Sequence, residues 1–424
     1  MIGQRIFFFR KSKGMTQEQL AKGICSISHL SKIENGHEAP SQDIITHLCH
    51  RLGINIEDVD SKEELEQITQ LLEEWYGLMV NKERNEAKNI YPKIQEKMEH
   101  VQDPTVLLRY KLYYIRFCLM RAEYEEAEEK VKEFSQYEKS VSKELLYLFY
   151  FLQGILTYSK GEYSESLTFL KKAEEIAEKL RLIEAELYYM LALAHIQLHD
   201  ITFSINFASQ ALELFQQNFQ INRCLECEVL IGINNLRLRN YNVAEKHFLS
   251  ALKVAKSLKY TELIYMNYHN LGYLHQKMNS SKAIHYFHEC LKYFHSNEDE
   301  IGLKEEKYCQ TSFSLAKEYY NLNDFKQMLE WVEKGEHMAF VHDLTTYILH
   351  FKVLRFRIEE QEDPIKESIL KDEVIPYFVD KKLWIYVADY AQMLADIYYA
   401  NHKYKSASQY YQLVIQANRN VLKF

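Results

Sequence analysis

A small side chain returns along most of this chain at a nearly fixed interval, and no other feature restricts its fold so severely. Ala87, Ala127, Ser166, Ser204, Ala244 and Ala283 follow one another at steps of 38 to 40 residues. Met328 stands 45 residues further on and Ala407 another 79, which leaves room for one degenerate unit around residues 348–380. A period of this length makes each unit a pair of helices, too small to bury its own apolar face and therefore stacked on its neighbours. The small residue marks where paired helices approach so closely that a larger side chain would hold them apart. An aromatic one turn later fills the groove beside it. Eight or nine helix pairs then occupy residues 65–424.

The spacing inside each unit is that of a tetratricopeptide repeat. "LIGINNLRLRNYNVAEKHFLSALKVA" carries Gly232, Tyr241, Ala244, Phe248 and Ala251 at those places, and "NLGYLHQKMNSSKAIHYFHECL" repeats them with Gly272, Ala283 and Phe287. "FLQGILTYSKGEYSESLTFLKKA" and "LADIYYANHKYKSASQYYQLV" supply two more. Five Pro and 12 Gly in 424 residues disfavour an all-β or loop-rich design, and 32 Tyr with 22 Phe provide the knobs such an array packs. The expected architecture is all-α, an N-terminal helix-turn-helix domain followed by a right-handed tetratricopeptide-repeat superhelix. The first helix of each pair lines a concave wall. By position that wall includes Arg116, Tyr189, His269, Asn270, Tyr273, Lys317 and Tyr320, with Asn234 and Arg237 close by. An Asn amide pairs with both N–H and C=O of an extended peptide, which makes Asn270 the leading candidate for peptide binding.

Ahead of the array lies a segment of different character. Ile2, Ile6 and Phe9 follow helical spacing up to Gly14, and Thr16 with Gln19 makes a capping box for a second short helix. A turn at "GIC", then Ser26 or Ser28 as a cap, opens a third helix that Gly36 stops; Pro40-Ser41 starts a fourth, ended by Gly53. Short helices with a Gly-containing turn between the second and third describe a helix-turn-helix unit over residues 1–60. Ser26, Ser28, His29 and Lys32 project from one side of the third helix to read base edges, and Leu30 and Ile33 face the core. Gln17 and Asn35 lie where helix ends meet phosphates. Residues 1–54 carry seven Lys/Arg against four Asp/Glu, while the chain as a whole has net charge −8, so only this head suits a phosphate backbone.

Other chemistries find little support. Seven Cys at irregular spacing give no disulfide framework, which points to a reducing cytoplasm. "MIGQRIFFFRKSKG" is not an export signal, and "LLYLFYFLQGILTY" stops short of a membrane span. "CLEC" (Cys224, Cys227) lacks a second pair at zinc spacing, and "HYFHEC" (His285, His288, Cys290) shares its helix face with packing residues. No metal site and no cofactor is expected, and no phosphate-binding loop or hydrolase elbow is present.

"TQEQLAKGICSISHLSKIENGHEAPS" resembles the Cro/repressor-type helix-turn-helix family. A head of that type followed by tetratricopeptide repeats resembles the peptide-pheromone receptors of Gram-positive bacteria, the Rap/NprR/PlcR/PrgX group, and within it the NprR branch. Residues 71–120 resemble the N-terminal helical bundle of Rap phosphatases in the pair Trp75-Tyr76, the segment "MEHVQD" and the close "FCLM". The resemblance implies three parts: the head, a linker helix and Rap-like bundle over 61–135, and a peptide-binding repeat domain over 136–424. It implies a cytoplasmic, quorum-sensing transcriptional regulator that binds operator DNA and a short signalling peptide as a homodimer or higher oligomer. It also implies an alternative or second activity, the dephosphorylation or sequestration of a sporulation response regulator. There Gln102 matches the Gln that orients the hydrolytic water, a task its amide performs without ionising. The acids that commonly precede that Gln are replaced by His100 and Val101.

Overall fold

The helices of this chain start and stop where side chains satisfy the backbone groups left free at their ends. In the computed structural model, which describes residues 2–54, 61–294, 303–358 and 363–423, every regular element is a helix. Four form the head: α1 (Ile2–Ser12), α2 (Gln17–Ala21), α3 (Ile27–Glu34) and α4 (Gln42–Leu52). Thr16 and Gln19 cap α2 reciprocally, Ser26 is the N-cap of α3, and Gly53 ends α4 in the left-handed conformation. Leu30 and Ile33 turn inward onto Ile6, Leu20, Leu48 and Leu52. A Cβ at Gly3 would stand 2.1 Å from the Ile33 carbonyl oxygen, so only glycine lets α1 cross α3 this closely. The expected boundary at residue 60 falls among residues 55–60, outside the described residues.

Seven antiparallel pairs follow: α5 (Lys62–Val80) and α6 (Arg84–Met98), α7 (Pro104–Met120) and α8 (Tyr124–Ser135), α9 (Lys143–Ser159) and α10 (Tyr163–Leu180), α11 (Ala185–Gln197) and α12 (Ile201–Gln217), α13 (Ile221–Arg237) and α14 (Tyr241–Leu258), α15 (Thr261–Lys277) and α16 (Lys282–Lys292), α17 (Leu303–Asn321) and α18 (Phe325–Val341). The degenerate unit consists of α19 (Thr345–Arg355) and of α20 (Asp363–Ile369), which runs through a π-helical turn at Leu370–Val374 into α21 (Ile375–Asp380). Residues 359–362 between them lie outside the described residues. The last pair is α22 (Trp384–Ala400) and α23 (Tyr404–Lys423).

The small-residue rule has a direct structural cause. Ala87, Ala127, Ser166, Ser204, Ala244, Ala283 and Met328 are all fully buried on the second helices. Where the residue is serine, its hydroxyl donates back to the first helix, Ser166 to Gly154 O at 2.7 Å and Ser204 to Ala192 O at 2.8 Å. Added Cβ atoms at Gly232 and Gly272 would lie 2.5 Å from the rings of Phe248 and Phe287. The chain gathers into two compact units, Met1–Leu191 and Ala192–Phe424. The first combines the head, the bundle and the early repeats, so the divisions expected at 60 and 135 both lie inside it.

Candidate functional site

On the head, α3 presents one exposed edge. Ser26 Oγ accepts the His29 backbone N–H at 3.1 Å, which fixes where the helix begins. Ser28, Lys32 and Asn35 are exposed beside Ile27, and His29 is half-buried. His29 Nε2 and Lys32 Nζ each lie 3.5 Å from the Glu38 carboxylate, which holds both lightly. Beneath this edge Arg10 grips Glu34 through two nitrogens, at 2.5 and 2.8 Å, in a pair closed to water. The Gln17 amide donates to Glu34 at 2.7 Å and so ties α2 to α3. The Asn35 amide donates to Ser31 O at 2.8 Å and closes the C-terminus of α3.

Gln102 sits just before α7, whose N-terminus Asp103 caps through Thr105 and Val106 N–H at 2.9 and 3.0 Å. The Gln102 side chain is half-buried, and its carbonyl oxygen accepts from the Arg5 guanidinium of α1. The same helix stacks Phe8 on Tyr137 at 5.5 Å. Nothing in the sequence announced this contact between residues 97 apart. Arg116, expected on the wall, is paired with Glu186, both side chains being 11 % exposed. Tyr189 is half-buried nearby in the sequence order of α11.

In the second unit the wall residues divide. Asn234 is not on the surface at all: it is fully buried, and its amide donates to Ser204 Oγ at 2.9 Å and Leu230 O at 3.0 Å. The short serine of the preceding pair leaves room for the amide to turn inward. The Arg237 side chain donates to the Ile196 carbonyl. His269 Nδ1 lies 3.1 Å from Thr311 Oγ1, and burial pushes its pKa down to about 4. Asn270, Lys317 and Tyr320 are half-buried and Tyr273 is 39 % exposed. The structure adds Lys277, with Nζ 5.1 Å from the Tyr273 ring, and Arg357, with its guanidinium 5.5 Å from the Tyr320 ring. Lys277 was legible as the residue one turn beyond Tyr273. Arg357 was hidden because its unit is the degenerate one.

Metal-ligand types meet at Cys118, Glu123 and Glu126, whose donor atoms lie within 4.8 Å of one another. Arg121 pairs with both glutamates, Tyr114 donates to Glu126 at 2.6 Å, and burial pushes the Cys118 thiol up to about 11. The cluster is thus knit by its own guanidinium. Cys227 and Cys290 are fully buried with their thiols pushed up by burial, Cys224 is half-buried, His288 Nε2 lies 3.0 Å from Tyr319 Oη, and His285 is exposed. Among the described residues no helix is long and apolar enough to cross a membrane.

The helix-turn-helix family designated HTH_3 matches residues 8–59. The transcriptional activator NprA of Geobacillus stearothermophilus is 32 % identical over 415 residues, 95 % of this chain and 100 % of that protein. Response regulator aspartate phosphatase I of Bacillus subtilis (strain 168) is 23 % identical over 84 % of this chain and 92 % of its own. Among solved structures, the apo quorum sensor NprR from B. thuringiensis superposes with a TM-score of 0.70 at 24 % identity, covering 83 % of this chain and 99 % of that one. NprR in complex with its cognate peptide NprX gives 0.62 at 24 % identity over 82 % and 99 %. These two likenesses establish the repeat fold.

Proposed function

This chain belongs to the Rap/NprR group of quorum-sensing regulators, and from that premise we propose how its parts divide the work. It is a peptide-responsive transcriptional regulator. Its head, residues 1–60, binds operator DNA through Ser26, Ser28, His29 and Lys32, with Asn35 at the backbone. Its repeats take a short signalling peptide, with Asn270, Tyr273, Lys317 and Tyr320 among the contacts. The protein works in the cytoplasm as a homodimer, so that two heads meet two half-sites. Peptide binding shifts that dimer only by favouring one of its states over another.

The observation that carries this reading is the α3 edge. Ser28, Lys32 and Asn35 stand exposed, while the polar groups behind them, Arg10, Gln17 and Glu34, are spent on one another. Duplexes enriched from a random pool by the full-length protein test it. Lys32→Ala is expected to weaken binding to every selected duplex and lower the salt slope by about 1, whereas Ser28→Ala relaxes the preference at one or two base pairs. A pool that yields no consensus, or variants that bind like wild type, would remove the head from DNA recognition.

A second activity is proposed at Gln102, supported by the likeness to an aspartate phosphatase and by its place at the start of α7. Its amide would orient water toward the aspartyl phosphate of a response regulator. Loss of phosphate from a phosphorylated response regulator, followed with wild type and Gln102→Ala, tests this. Equal decay with both proteins takes Gln102 out of the chemistry.

A further inference from the structure

Four first helices of the second unit, α15, α17, α19 and α22, are joined in order by side chains on one face. Gln276 donates to Glu318 at 3.0 Å, His350 stacks on Phe313 at 4.8 Å, and Tyr386 stands edge-on to His350 at 4.3 Å. Along this face run Lys277, Lys317 and Arg357. Three other cations of the same unit have acids: Lys307 reaches Glu262 at 3.1 Å, Lys352 reaches Glu373 at 2.7 Å, and Arg355 reaches Glu336 at 2.6 Å. Among the described residues none of the three on this face has such a partner. Lys277 and Arg357 meet only the rings of Tyr273 and Tyr320. Lys317, one turn before Tyr320, is half-buried and makes no hydrogen bond.

Burial above all lowers the Lys317 pKa; Asp389 opposes that, and Arg357 and Lys277 reinforce it. The two acids on this face are unequal. Glu318 is buried against Gln276, and Asp389 is exposed without an ion pair. His269 and His350, pushed by burial to about 4 and about 3, add no charge at neutral pH. The face is therefore a cationic strip walled by tyrosines. A half-buried ammonium without an acceptor is costly, and a carboxylate brought to it forms charge-assisted hydrogen bonds in a setting that strengthens them.

We infer that this strip holds a carboxylate of the bound peptide, shared by Lys317 and Arg357, with the Tyr273 and Tyr320 rings against the flanking peptide backbone. The inference rests on the peptide-receptor reading and adds the chemistry the peptide must carry. That carboxylate is either an Asp or Glu side chain or the peptide's C-terminus, and the test separates the two.

Full-length protein is immobilised and offered pools of short random synthetic peptides, with captured species read by mass spectrometry. One pool contains Asp and Glu, one replaces them with Asn and Gln, and each is made as free acid and as C-terminal amide. Wild type is expected to enrich carboxylate-bearing peptides at least about tenfold over fully neutral ones. Enrichment lost on amidation assigns the C-terminus; enrichment that survives amidation assigns a side chain. Lys317→Met and Arg357→Met should each abolish the enrichment while neutral peptides still bind, and Lys317→Arg should keep it. Arg357 is exposed, so its variant remains informative if replacement of Lys317 disturbs folding. Equal capture of acidic and neutral peptides, or unchanged enrichment by both Met variants, overturns the anion site and leaves the receptor standing. Capture of no peptide from any pool overturns the receptor reading and this inference together.

Discussion

In the first unit Arg10 closes on Glu34, Arg109 on Glu73 and Arg116 on Glu186; in the second, Lys277 and Arg357 find only tyrosine rings, and Lys317 makes no hydrogen bond or ion pair. Both units are built from the same kind of helix pair, so the difference lies in what their polar side chains are for. A charge paired inside the fold sets an angle or a register. In the head the Arg10–Glu34–Gln17 network holds α1, α2 and α3 together, so that the edge of α3 is presented rigidly. A half-buried charge without an acid, such as Lys317, is available to a second molecule. On the proposed reading the first unit presents and the second receives.

The largest effect expected from this contrast comes from breaking the paired side. Glu34→Ala leaves Arg10 buried without its acid and should cost about 3–5 kcal/mol of head stability, seen as lost operator binding and a low-denaturant transition. Lys317→Met, by comparison, should move the unfolding midpoint hardly at all. If the two variants are equally destabilised, the contrast fails.

Acid should next act on the second unit. His269 and His350 have folded pKa values of about 4 and about 3 against 6.5. The fold favours their neutral form, so the unfolded chain binds more protons below pH 6.5. Their contribution is complete above that value and is lost as pH falls toward the folded values, together about 5 kcal/mol by pH 4.5. Single-tryptophan variants report each unit, Trp75 in the first and Trp331 or Trp384 in the second. The Trp331 and Trp384 signals should move before that of Trp75 on acidification; the reverse order would contradict the account.

Packing gives a smaller effect. Gly272→Ala drives a Cβ to 2.5 Å from the Phe287 ring and should cost about 2 kcal/mol in thermal unfolding. Gly77→Ala in the first unit meets nothing within 4 Å and should be neutral or slightly stabilising. Smallest is the turn inside the pairs. Lys82, Ala122, Arg239 and Asn323 all adopt positive φ, between 59° and 63°, where Gly161 stands in the third pair at 80°. Ala122→Gly should therefore stabilise by up to about 1 kcal/mol, read as a raised Tm.

Local and periodic features were readable before the structure. Thr16 with Gln19, Ser26, Gly36 and Gly53 marked the head helices because caps are settled by a few consecutive residues. The small residues from Ala87 to Ala283 marked the pairs because close approach admits little else. What escaped depends on residues far apart in the chain. Asn234 has the composition of a wall residue, yet the Ser204 hydroxyl 30 positions earlier draws it inward. Arg357 belongs to the unit whose second helix is interrupted by a π-helical turn, so no register located it. Arg5 and Gln102 meet only because α1 folds back on the bundle. Spacing located the first helix of most pairs; it did not show which charges on those helices were already taken.

The central claim is that the second unit governs what the head does to DNA. Operator affinity of the full-length protein, measured by fluorescence anisotropy on a selected duplex with and without a captured acidic peptide, tests it most directly. Saturating peptide should change that affinity at least about tenfold, a coupling of about 1.4 kcal/mol. Lys317→Met should abolish the change and keep the peptide-free affinity. An affinity that stays the same in saturating peptide would contradict the account.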